Sequence, residues 1–108
     1  MGEPYVTEDV LKDQFVDTLW VGDHHTLITD PDVWKPCKHV RKSTNKQGRH
    51  IRINGQIETE VFDHFVNLLQ GGKLPQADPQ VYMDLWLCAH ILGHDELKTR
   101  LQDKLNIM

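Results

Sequence analysis

The stretches VFDHFVNLLQGGKLP (residues 61–75) and VYMDLWLCAHILGHDELKTRL (residues 81–101) decide how this chain folds. In the first, Val61, Phe62, Phe65, Val66, Leu68 and Leu69 recur at three- and four-residue steps, which gathers them on one broad helical face. Thr59 is placed to cap this helix. Glu60 and Asp63 stand in its first turn, where carboxylates suit the positive end of the dipole. Gly71-Gly72 closes it, because glycine accepts the left-handed backbone that ends a helix. Asp78-Pro79 opens a second helix, with a capping side chain followed by proline at the first helical position. Its apolar residues, from Val81 and Tyr82 through Met83, Leu85, Trp86 and Leu87 to Ile91 and Leu92, go almost all the way round. That pattern predicts a central helix buried on most sides. Gly93 stops it, and Asp95 then caps a third helix carrying Leu97, Leu101 and Leu105.

Upstream the pattern changes from helical to alternating. Val16 to Val21 is β-branched and aromatic. Gly22-Asp23 is a turn signal, and His25 to Thr29 returns as the second arm of a hairpin. Trp20 alternates with Leu19 and Val21, so it is the tryptophan expected to face outward and a candidate interface residue. Val33, Trp34, Cys37 and Val40 have helical spacing, but Pro36 limits them to a short or broken helix. Ser43 to Gly48 is a polar loop, and His50 to Ile53 alternates as a third strand. Before the hairpin, Thr7 to Gln14 predicts a short helix, capped by Thr7, with Glu8 and Asp9 in its first turn and Val10, Leu11 and Phe15 as its apolar side. The expected class is α+β: an N-terminal β-hairpin plus a third short strand, packed against a cluster of helices. Residues 1–15 are expected to form an N-terminal segment and 16–108 one domain, within the usual size for a single core.

The order and spacing of these elements resemble a BTB/POZ domain. The quoted stretches carry the resemblance, with Phe62, Leu69, Gly72, Leu85, Ala89, Leu92 and Leu97 at matching positions. DTLWVGDHHTLIT (residues 17–29) resembles the family's opening hairpin, and the wording around Tyr82, Leu85 and Trp86 is most like fungal members. The likeness runs from about Asp17 to Leu105. It is weakest from Lys35 to Gly48, where the family carries a helix pair and this chain is compressed. The resemblance implies a protein–protein interaction module that forms homodimers or higher oligomers. In many members it implies adaptor work for cullin-type ubiquitin ligases or transcription regulation. Dimerising members carry an exchanged helix ahead of the hairpin, which makes Val10, Leu11 and Phe15 expected self-association residues, joined by the outward Trp20 of the hairpin. Cullin-binding members share a hydrophobic–x–glutamate element before the third strand. Here Val40 is followed by Arg41 and Lys42, so a cation stands where the carboxylate would be.

Charge gives the strongest signal beyond the fold. The chain has 12 cations and 16 carboxylates, a net charge of −4. Lys35, Lys38, Arg41, Lys42, Lys46, Arg49 and Arg52 fall in one stretch without a carboxylate, so the remainder holds five cations against sixteen carboxylates, or −11. Such a two-signed chain suits association with an acidic protein surface, its own second copy included. Nucleic acid is the alternative partner for this stretch. It is disfavoured by the acidic balance and by the lack of an RNP, zinc-finger or helix-turn-helix pattern.

No catalytic assembly is legible. Ser43 lacks a G-x-S-x-G frame, and Gly71-Gly72-Lys73 follows a helix where a phosphate loop would precede one. The reading is a non-enzymatic protein without cofactor or metal. Cys88, His90 and His94 invite a metal reading, but residues two apart do not share a helical face, and Gly93 intervenes. Cys37 and Cys88 are expected to be reduced thiols, which fits a cytoplasmic or nuclear protein. No apolar run reaches the roughly 18 residues of a membrane span.

Overall fold

The computed structural model describes residues 6–10, 16–40 and 48–107. It is a small α+β domain with a four-stranded mixed sheet and three helices. Strands β1 (Val6–Val10), β2 (Asp17–Val21), β3 (His24–Ile28) and β4 (Arg49–Ile53) lie in the order β1-β4-β2-β3. Strands β2 and β3 form the expected antiparallel hairpin, with Asp17 opposite Ile28 and Val21 opposite His24. Gly22 turns it at φ 59°, and its amide donates to the Ile53 carbonyl at 3.1 Å. A Cβ there would stand 2.3 Å from the Gly55 carbonyl oxygen, so both the backbone angle and the space require glycine. Strand β4 runs parallel to β2, with Leu19 beside Ile51 and Val21 beside Ile53.

The N-terminal segment departs from its expected form. Val6–Val10 is a strand, paired antiparallel with β4 from Val6–Ile53 to Val10–Arg49. Thr7, Glu8 and Asp9 satisfy local helix-start preferences, but β4 offers an edge of unpaired amides and carbonyls, and filling it outweighs a marginal short helix. Leu11 and Phe15 lie outside the described residues. With β1 seated on its own sheet, Val10 belongs to a strand and not to an exchanged helix.

After the hairpin, Asp30 caps a single 3-10 turn, Pro31–Trp34, by accepting the Asp32 amide. The chain then turns so that Val33, Trp34, Cys37 and Val40 are all buried. The Lys38 and His39 amides donate to Gly93 and Leu92 carbonyls at 3.2 and 3.0 Å, which ties this segment to the corner between the last two helices.

Helix α1 (Thr59–Leu69) buries Val61, Phe62, Phe65, Leu68 and Leu69. Its N-cap is Glu58, with no side-chain cap, so Thr59 is the first helical residue and not the cap. Helix α2 (Pro79–Leu92) has the predicted limits, with Gly93 at φ 77° closing it in the left-handed conformation. The Tyr82 hydroxyl donates to the Pro75 carbonyl and accepts the Ala77 amide, pinning the link between α1 and α2. Helix α3 (Asp95–Asn106) buries Leu97 and Leu101. Its cap is His94, not Asp95: the imidazole Nδ1 accepts the Leu97 amide at 3.1 Å. The core combines one sheet face (Leu19, Val21, Ile51, Ile53) with Phe65, Leu85, Ala89 and Leu92 from the helices, and Leu19, Phe65, Leu85 and Ala89 are wholly buried.

Candidate interaction surfaces

The basic stretch does not form one surface. Arg49 is buried at 7% exposure. Its backbone amide donates to Asp17 Oδ1 at 2.9 Å, and its guanidinium reaches Asp17 Oδ2 at 3.3 Å. The Trp34 indole N–H donates to the same Oδ2 at 2.9 Å, so one carboxylate joins β2, β4 and the 3-10 turn. A charge this deep is tolerable because it is paired and hydrogen-bonded. Arg49 is therefore an internal structural residue and leaves the expected partner-binding set. Lys35 pairs with Asp32 at 3.1 Å, and Lys38 pairs with Asp95 at 2.7 Å. The Lys38 hydrogen bond, together with Lys98, holds the Asp95 carboxyl below its usual range. Arg41, Lys42 and Lys46 lie outside the described residues.

Arg52 and Trp20 meet on the sheet face that supplies no apolar residue to the core. Alternation sends Leu19 and Val21 inward and Trp20 outward. The Trp20 ring stacks on His25 at 4.4 Å, and the Arg52 guanidinium lies over it at 4.6 Å. Its indole N–H donates to His50 Nδ1 at 2.9 Å. Register explains this cluster, since His25 and Arg52 are the cross-strand neighbours of Trp20 on its two sides. Leu27, two residues along β3 on the same face, is 59% exposed. His24 behaves differently from its neighbour: it stacks on Phe62 at 5.5 Å and bonds the Ile57 carbonyl at 2.9 Å.

A second surface was not legible in the sequence. Helix α2 is not buried all round, since Met83 is 53% exposed and Leu87 is 46% exposed. They lie along a groove of about 590 Å³ between α2 and α3, walled by Met83, Asp84, Trp86, Leu87, Gln102 and Leu105. Trp86 stacks on His90 at 5.1 Å with the rings nearly parallel, and the Lys98 ammonium lies 5.7 Å from its ring centre. These contacts hold the indole in place as a groove wall.

Both thiols are inert. Burial pushes Cys37 up to about 12, and burial followed by the nearby Asp84 charge pushes Cys88 up to about 12. Burial also lowers the pKa of His94, partly opposed by Glu96 and Asp95. Among the described residues, no group of three or more histidines, cysteines or carboxylates is arranged to hold a metal ion. No helix of the described residues is long and apolar enough to cross a membrane. The chain matches no family model, and neither a curated protein nor a solved structure matches it.

Proposed function

We propose that this chain is a protein–protein interaction domain of the BTB/POZ kind that self-associates through the outer face of its sheet. The observation that carries the proposal is the fixed Trp20 platform, an indole held by Arg52, His25 and His50 beside an exposed Leu27. Immobilising an aromatic side chain in advance removes ordering cost from binding, and aromatic residues are over-represented among those that dominate interface energies. The fold order supports the BTB/POZ reading: a hairpin, a compressed turn, a strand parallel to the hairpin's first arm, then three helices. Charge supports a second copy in a head-to-tail contact, because Arg52 gives the platform a cation and the sequence outside residues 35–52 carries −11. Nucleic acid fits less well, since Lys35 and Lys38 are already ion-paired and Arg49 is internal.

Sedimentation equilibrium over a concentration series tests this. The wild type should exceed its monomer mass of 12.6 kDa as concentration rises. Trp20→Ala combined with Leu27→Lys should return it to the monomer with its circular dichroism unchanged. A wild type that stays monomeric throughout, or a variant that associates equally well, overturns the proposal.

A further inference from the structure

We infer that the α2–α3 groove is a second and separate docking site, and that its occupant is an amphipathic helix with a basic polar face. The groove sits on different elements from the Trp20 platform and does not depend on the self-association reading. Its volume, about 590 Å³, is in the range of built binding sites, and its floor is apolar. Met83 and Leu87 lie one helical turn apart, a spacing that matches apolar residues at i and i+4 on an incoming helix. The walls are themselves two helices joined by the short Gly93–His94 corner, and a third helix packs naturally into such a furrow.

Charge selects the polar side of the partner. Among the described residues that line the groove, Asp84 is the ionisable one, and Lys98 stands over the Trp86 wall, its ammonium paired with Asp95 at 3.5 Å. The Gln80 side-chain amide donates to Asp84 Oδ1 at 3.1 Å and orients it. A smaller cleft of about 100 Å³, bounded by Asn54, Gly55 and Ile57, shares Asp84 and Leu87 with the groove. Asp84 therefore stands where the two depressions meet, beside any helix lying along α2. A lysine or arginine at that point gains a charge-assisted contact, and a carboxylate is repelled.

Three synthetic helical peptides test the inference. They share one leucine stripe and carry lysine, glutamine or glutamate on the polar face. Binding is followed by the Met83 methyl signal and by calorimetry. The lysine-faced peptide should bind best and move the Met83 methyl. Asp84→Asn should weaken it by up to about fivefold, in line with a partly exposed ion pair. Met83→Asp with Leu87→Asp should weaken all three by about tenfold or more, because two apolar anchors are lost. Asp84→Lys should reverse the preference towards the glutamate-faced peptide, which separates recognition from loss of folding. The inference is overturned if the glutamate-faced peptide binds the wild type as tightly, or if binding leaves the Met83 methyl unmoved. Broadening of that methyl with protein concentration alone would instead assign the groove to a second copy.

Discussion

Replacing Asp17 by asparagine should be among the most damaging conservative changes available in this chain. Asp17 accepts from the Arg49 backbone amide at 2.9 Å and from the Trp34 indole at 2.9 Å, and it faces the guanidinium at 3.3 Å. The Arg49 side chain is 8% exposed and that of Asp17 is 12% exposed, so water cannot take over the pairing. Asparagine keeps the shape and one acceptor but leaves the guanidinium without this countercharge. Breaking a buried pair from one side costs about 3–5 kcal/mol. Against a domain stability of about 5–15 kcal/mol, that is roughly a fifth at the least. In urea, with an m of roughly 1.5 kcal/mol/M, the midpoint should fall by roughly 2–3 M. Arg49→Met alone should also destabilise, by leaving a buried carboxylate. The double variant should cost clearly less than the sum, because the two side chains contact each other directly. Tryptophan fluorescence, to which Trp34 contributes beside Trp20 and Trp86, follows the transition. Two single variants no worse than a surface substitution, with coupling below about 0.5 kcal/mol, would refute the assignment of this node.

Three further outcomes follow from other parts of the molecule. Leu85→Ala, at a wholly buried position, should cost about 2–5 kcal/mol in the same urea assay, and a midpoint shift within about 0.5 kcal/mol would show that its helix face carries little of the core. His94 accepts the Leu97 amide, and burial keeps its pKa below the ordinary 6.5, so the unfolded chain takes up a proton that the folded chain refuses. Stability should be full above that value and decline as pH falls through it towards the folded pKa; His94→Asn, which keeps an acceptor but does not titrate, should lose this acid sensitivity, and an unchanged pH profile would contradict it. On the family resemblance, Lys42 in place of a glutamate should keep a cullin N-terminal region from binding, and micromolar binding by calorimetry that is unchanged in Lys42→Glu would reject that surface assignment.

What the sequence shows plainly here is what local chemistry determines. Asp78-Pro79 and Gly93 bound α2 because a proline at the first turn and a left-handed glycine act on their immediate neighbours. The hairpin follows from alternation and Gly22 in the same way. The misread positions depend on partners distant in sequence. Thr7 to Val10 reads as a helix start until β4 supplies its partner strand. Arg49 counts as one of seven cations until the fold brings Asp17 beside it. Periodicity cannot tell an apolar side chain that is buried from one that lines a groove, so Met83 and Leu87 read as core. His94 escaped notice as a cap because histidine is not among the usual capping residues and accepts only through an unprotonated nitrogen.

The parallel pairing of β2 with β4 also constrains the order in which the chain can fold. Leu19 meets Ile51, and Val6 meets Ile53 across the other edge, so the sheet closes only after long loops have been brought together. Loop closure of this kind slows folding, whereas the α2–α3 hairpin forms from neighbours across Gly93. During synthesis the β2–β3 hairpin leaves the ribosome early, yet it lacks the strand it packs beside until β4 follows, and lacks the covering helices for longer still. Until then Leu19, Val21 and Ile28 face water. A nascent chain of this sequence is therefore most exposed to aggregation midway through its synthesis, and the interval ends only when the helices that cover this face have followed β4.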